Sequence, residues 1–330
     1  MKRIVVCLLV VGLLLSACVA KVPTVQPIAP VATLQVAQPR LAILSAFNAE
    51  LQVLLAKADI TATEVINGRT YYVGTLQGQP VVMTLTGVSM VNASASAQAM
   101  LDHFSIRAVI FSGIAGGVSP ALHIGDVTVP AQWGQYMENL LARETPDGWN
   151  VGWHSSPFAN YQMQFPQTVS VAQQCGEPDA ETAAFWFPVA PDLLAIAAQV
   201  AAQVELAACT PEEVCLTDTP RIVVGGNGVS GQSFVDNAAY RDWAWSTFQA
   251  DALDMETAAV AQVAYTNCTP YIAFRSLSDL AGGGPGENEI GTFFKLAADN
   301  SANYVLAFLA ALPADYASTP RPVMLVPAFE

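Results

Sequence analysis

Charge is scarce in this 330-residue chain. Only 12% of residues are Asp, Glu, Lys or Arg, and the 27 acids outnumber the 13 bases. With a net charge of −14 and no Lys/Arg cluster beyond the start of the chain, the basic footprint of a nucleic-acid binder is missing. Histidine is rarer still: His103, His123 and His154 are scattered, and no CxxC pair or His cluster has metal-ligand spacing. No metal and no cofactor is therefore expected. Neither GxGxxG nor GK[ST] follows a strand-like run, which excludes the dinucleotide and P-loop signatures. The apolar stretch Ile4–Leu15 is too short for a comfortable membrane span. No internal repeat is evident. What remains is a chain that is 53% apolar with a mean hydropathy of +0.39, enough to bury a large core.

The first 39 residues follow their own logic. Met1-Lys2-Arg3 is a basic leader, Ile4–Leu15 an apolar stretch, and Leu15-Ser16-Ala17-Cys18 resembles a bacterial lipobox. The resemblance implies cleavage after residue 17, lipidation of Cys18 and anchoring in the cell envelope by lipid alone. Residues 18–39 hold four prolines and no acid, and read as an extended tether. One folded domain is expected over 40–330, with a variable insertion at 131–220. After export, Cys175, Cys209, Cys215 and Cys268 would remain besides the lipidated Cys18. Three full pairings are open to them, and Cys209–Cys215 is favoured as the nearest pair.

Short apolar runs alternate with helical patterns along the rest. Leu41–Leu44 reads as the first strand, followed by a helix with Leu51, Leu54 and Leu55 on one face. Tyr71–Val73 and Pro80–Thr86 read as hairpin strands, Ala93–His103 as a helix and Ala108–Phe111 as a buried strand. That strand runs into a glycine-rich segment in which Gly113, Gly116 and Gly117 let backbone approach a ligand, or merely make a tight turn. Val127–Val129 and Arg221–Gly225 read as strands, and Leu193–Leu206 as an Ala-rich helix. The alternation predicts a single three-layer α/β/α domain with a central mixed, twisted sheet.

Against so few charges, acids at element junctions stand out. Glu256 begins the helical run Glu256–Tyr265, and Asp279 falls just past the strand Tyr271–Phe274, where ligand crevices of open α/β sheets lie. Glu50 falls in the first turn of its helix. Each has a plainer alternative: an Asx-turn or N-cap for Asp279, a helix-dipole acid for Glu50.

Taken together, GIAGG…SPALHIGDVTVP, VVGGNGVSGQSFVDNAAYRDW and DMETAAVA…FRSLSDLAGGG resemble the nucleoside phosphorylase/nucleosidase superfamily. The catalytic residues are closest to the methylthioadenosine/S-adenosylhomocysteine nucleosidases, the wording to the plant bark storage proteins. The resemblance spans roughly 40–312 and is loose over 131–220. It implies that Asp279 is the general acid to purine N7, supported by Ser278 and Arg275. It implies that Glu256 binds the ribose hydroxyls above an apolar floor at Met255. Phe234 would stack on the base, the Val235 backbone would read its edge, and Ala115 and Gly116 would border ligand and water. Glu50 would orient the attacking water. A symmetric homo-oligomer, typically a dimer, is implied as well.

The nucleophile turns on three positions. Phosphorylases of the superfamily hold phosphate with arginines and a serine; here Phe111 and Ile114 occupy two of those places, and Asn48-Ala49-Glu50 stands where another arginine is expected. A glutamate there would repel phosphate and can accept a proton from water. Hydrolysis of a purine nucleoside is thus the leading expectation, with phosphorolysis second and a non-catalytic nucleoside-binding or storage-like protein third. One departure runs the other way: the nucleosidases often carry serine at the Ile114 position.

Overall fold

The computed structural model describes residues 38–317 except 285. The expected signal segment, the expected lipidation site at Cys18 and nearly all of the expected tether fall outside these residues. Among the described residues, twelve strands form one mixed sheet: β1 (Arg40–Ser45), β2 (Asp59–Ile66), β3 (Arg69–Leu76), β4 (Gln79–Leu85), β5 (Ile106–Gly117), β6 (Val127–Val129), β7 (Gln132–Gln135), β8 (Trp186–Pro188), β9 (Ile222–Val224), β10 (Asn227–Ser230), β11 (Ala250–Asp254) and β12 (Tyr271–Asp279). Six α-helices flank it: α1 (Asn48–Lys57), α2 (Met90–His103), α3 (Pro191–Val200), α4 (Ala238–Phe248), α5 (Thr257–Thr266) and α6 (Ile290–Ala311). The α/β architecture with a mixed central sheet is the one expected.

The central strands are apolar throughout because both of their faces are covered. β1 pairs in parallel with β4 and β5, and β5 with β12. Leu41–Leu44, Ala108–Phe111 and Tyr271–Phe274 are buried, the continuous apolar run of an enclosed parallel strand. α6 lies along β12, with Tyr304 and Phe308 set 5.0 and 5.1 Å from the Phe274 ring. Fully burying each such side chain is worth about 1.5–3 kcal/mol.

β5 is long and changes neighbour along its length. Its first half pairs with β1, from Arg40–Ile106 to Leu44–Phe111. Its end pairs instead with antiparallel β11, Ala252 with Gly117 and Leu253 with Gly116. The C-terminal ends of β1 and β11 therefore converge on residues 112–115 of β5. β12 runs along the other edge of β5 and ends with Asp279 opposite Gly116. Three strand ends meet along the second half of β5.

Several boundaries differ from the sequence reading. The glycine-rich segment is no turn: β5 continues through Gly117. RSLSD is likewise strand, so Asp279 is the last residue of β12 rather than a residue beyond it. Backbone pairing between these two segments overrides their polar and glycine content. β2 has no buried residue on either face, so the sequence carries no alternation that marks it as a strand. The Ala-rich helix stops at Val200 and tightens into a 3₁₀ turn over Ala201–Gln203. Glu256 sits at the N-cap of α5, one residue before the helix.

Residues 131–220 contribute β7 and β8 to the sheet and otherwise form three two-stranded ribbons and α3. The cysteines pair as Cys209–Cys215, the favoured bond, and Cys175–Cys268, which ties the insertion to the turn ahead of β12.

Candidate active site

Where the three strand ends meet there is a pocket open to solvent. From β5 it is lined by Ile114, Ala115 and Gly116, and from the β11–α5 junction by Met255 and Glu256. The loop between β10 and α4 contributes Phe234 and Val235. Ser278 and Asp279 come from the end of β12. Eight residues singled out from sequence are thus brought together. Phe234 stands at the rim, 56% exposed, and Val235 is buried beneath it. Glu50 and Arg275 are not among the lining residues; they lie behind the wall.

Arg275 differs most from its expected role. It does not touch Asp279. Its guanidinium is fully buried on the Phe111 ring, 4.2 Å from the centroid, and faces three carboxylates. Nη2 lies 2.7 Å from Asp254 Oδ2, an ion-pair contact, and 3.9 Å from Glu256 Oε2; Nη1 lies 3.9 Å from Glu50 Oε1. Nε donates to Thr257 Oγ1 at 2.8 Å and Nη1 to the Ile114 carbonyl at 3.2 Å. A Cβ on Gly113 would overlap both the guanidinium and the Glu50 carboxylate, so that glycine serves this ion cluster rather than a ligand.

Glu50 is held from three sides. Oε2 accepts from the amides of Ala46 (2.7 Å) and Phe47 (2.9 Å), and Oε1 from Ile114 (2.8 Å). Reaching back to Phe47, Glu50 acts as the acid half of a capping box at the start of α1. The same carboxylate therefore fixes the helix end and the bend of β5 that forms the pocket wall. Burial pushes its carboxyl above the ordinary value, and Arg275 and the three amides oppose that.

Glu256 is nearly enclosed. Oε1 accepts from the Ser89 amide at 2.7 Å. Ser89 adopts φ 87°, a conformation rare for a residue with a side chain, and that twist aims its N–H at the carboxylate. Burial first, then the Asp254 charge, push the Glu256 carboxyl up to about 7, against the pull of Arg275. Asp279 is buried too. Oδ1 accepts from the Ala281 amide at 2.8 Å and from Asn288 Nδ2 at 3.3 Å, and Oδ2 lies 2.9 Å from Ser278 Oγ. Burial raises its carboxyl, and these three donors hold it back.

Three residues were missed. Asp254 accepts from the Ser230 and Thr257 hydroxyls and from the amides of Glu256 (3.2 Å) and Thr257 (3.1 Å). It both starts α5 and anchors Arg275. The Asp-x-x-Thr spacing ahead of an Ala-rich run is an N-terminal signal that was available. Ser89 and Asn288 act from loops and leave no pattern. Among the described residues no group of His, Cys, Asp and Glu is arranged to hold a metal.

A family model of the phosphorylase superfamily matches residues 40–310, and the chain belongs to that superfamily. Among curated relatives, the 5'-methylthioadenosine/S-adenosylhomocysteine nucleosidase of Psychromonas ingrahamii is 28% identical over 74% of this chain and 87% of its own. Bark storage protein B of Populus deltoides is 26% identical over 66% of this chain and 70% of its own. Among solved structures, a Helicobacter pylori nucleosidase mutant with 5'-methylthioadenosine in its active site superposes with a TM-score of 0.63 at 21% identity. That match covers 83% of this chain and 99% of the other. Futalosine hydrolase of the same organism gives 0.62 at 21% identity, with 83% and 99% coverage. At these identities the structures establish the shared fold.

Proposed function

We propose that this chain hydrolyses the N-glycosidic bond of purine nucleosides of the 5'-methylthioadenosine/S-adenosylhomocysteine type, releasing purine and free sugar. One observation carries the choice of water over phosphate. Three buried acids, Asp254, Glu256 and Asp279, line the pocket, no Lys or Arg does, and the guanidinium behind the wall is already committed to three carboxylates. A phosphate dianion would enter a site of its own sign. The nucleosidase relatives support the same reading.

In this mechanism Asp279, whose carboxyl burial raises, donates its proton to N7 as the glycosidic bond breaks. Glu256 accepts from the ribose hydroxyls and faces the developing oxocarbenium charge. Glu50, behind the pocket wall, has three of its roughly four lone-pair positions filled by amides; the fourth would hold a water that reaches from the wall to the opposite face of the sugar. Each proton-transfer group contributes about 10²–10⁴ in rate.

The test is incubation with methylthioadenosine, adenosine or inosine, with and without phosphate. Free sugar without phosphate is expected. Sugar 1-phosphate formed only with phosphate would replace the reading by phosphorolysis. Saturable binding without product would favour the storage-like reading that the bark storage relatives support.

We also carry forward export and lipid anchoring at Cys18, supported by the LSAC motif and by two disulfides, which persist in oxidising compartments. Loss of membrane association in Cys18→Ser is the expected outcome. A homodimer, implied by the resemblance, is tested by sedimentation.

A further inference from the structure

Asn288 lies in the loop between β12 and α6, outside every motif that carried the family resemblance. Its Oδ1 accepts from the Ile290 amide at 3.0 Å, which fixes the orientation of the side-chain amide. The NH₂ end therefore faces two carboxylates: Asp236 Oδ1 at 3.1 Å and Asp279 Oδ1 at 3.3 Å. Two N–H bonds meet two acids.

The consequence lies in Asp279. With the amides of Ala281 and Asn288 both donating to Oδ1, the two lone pairs of that oxygen are filled. A proton on Oδ1 would meet two donors head-on. We propose that Asn288 is a positioning residue for the reaction argued above, holding the transferable proton of Asp279 on Oδ2. Ser278 completes the arrangement. Its hydroxyl lies 3.4 Å from the Ala115 carbonyl, so it donates there while Asp279 is neutral. As the Oδ2 proton passes to N7 and Asp279 becomes an anion, the Ser278 hydroxyl turns to the freed oxygen. The Asn288 and Ala281 donors are already aimed at Oδ1. All three bonds strengthen as negative charge develops, which is when they accelerate the step.

Asn288 also joins two loops. Asp236 follows Phe234 and Val235 directly, and the next amide, Asn237, donates to the Ala281 carbonyl at 3.1 Å. The loop that would stack on the base and the loop behind the acid are thus held in one register. The other charged groups facing Asp279 are Glu289, which raises its carboxyl, and across the pocket Asp254 and Glu256.

The experiment uses Asn288→Ala, which removes the donor without placing a new charge beside Asp236 and Asp279. Asn288→Ser is the second variant, short enough to lose Asp279 while keeping an acceptor for the helix. For both, kcat and KM for methylthioadenosine are measured across pH, together with the thermal midpoint. The expected result is a fall in kcat of about 10- to 100-fold, KM within about twofold, and an alkaline limb of kcat/KM moved to higher pH. The sign follows from the lost donor: a carboxyl without it holds its proton more tightly. A merely structural role would lower the thermal midpoint and leave the pH profile in place. Unchanged kcat and profile in a folded variant, with active wild type, would overturn the role of Asn288 alone. An inactive wild type would overturn the hydrolase reading and this inference with it.

Discussion

Replacing Glu256 by Gln should remove most of the stability that the protein loses between acid and alkaline pH, and its activity with it. One guanidinium faces Glu50, Asp254 and Glu256, so the buried cluster carries excess negative charge when all three are ionised. Glu256 bears the strain, with its carboxyl raised from 4.5 to about 7. An acid raised on folding stabilises the folded state below its unfolded value, and that contribution is lost as pH rises through the folded value. At about 1.36 kcal/mol per pH unit, the wild type loses roughly 2–3 kcal/mol of this contribution between pH 5 and pH 8. Gln does not titrate, and its Oε1 still accepts from the Ser89 amide. The carboxamide beside Arg275 adds a cost that is independent of pH over this range, so the comparison between the two pH values cancels it. The assay is urea denaturation of wild type and Glu256→Gln at pH 5 and pH 8, with both disulfides intact. The stability difference should grow in favour of the variant by roughly 2–3 kcal/mol from the lower to the higher pH. A difference that is the same at both would refute the over-charged cluster.

Asp279→Asn should fold normally and lose at least about 10²-fold in kcat; turnover near the wild-type rate would remove Asp279 from the mechanism. Ser89→Gly should raise stability by about 1 kcal/mol in thermal or urea unfolding, since glycine relieves the φ 87° backbone. Glu50→Gln must turn an NH₂ group toward buried amides, costing about 1–3 kcal/mol for each donor left unpaired, and should abolish turnover as well. Replacing Cys175 and Cys268 together should cost up to about 4–5 kcal/mol because the loop they close is long, read as a lower urea midpoint.

The framework was legible wherever one physical signal dominated. Leu41–Leu44, Ala108–Phe111 and Tyr271–Phe274 could be found because strands covered on both faces leave apolar runs. Glu256 and Asp279 stood out because charge is scarce. What escaped depends on contacts made at a distance. Nothing local tells that Ser112–Gly117 extends a strand; its partners are β11 and β12, well over a hundred residues away. Arg275 opens RSLSD, so the sequence alone places it beside Asp279. Positions 275 and 279 would share a face of a regular strand, but the register shifts between Leu277 and Asp279, and the Arg275 guanidinium projects to the cluster behind the wall. Ser89 and Asn288 depend on one loop angle and one amide, for which composition has no signature.

Cys175 and Cys268 are joined across 93 positions of chain, and the amide of Gln174 adds a 2.7 Å bond to the Thr266 carbonyl beside them. The segment between 131 and 220 thus returns to the core at a covalent point near the foot of the strand that carries Asp279. A length of chain closed between fixed ends costs only about 0.6 kcal/mol more for each doubling. The stretch can therefore gain or lose ribbons, change its aromatic content or present a different outer face while the pocket keeps its geometry. In this least readable quarter of the sequence, the ribbons outside the main sheet are the part the molecule is freest to rewrite.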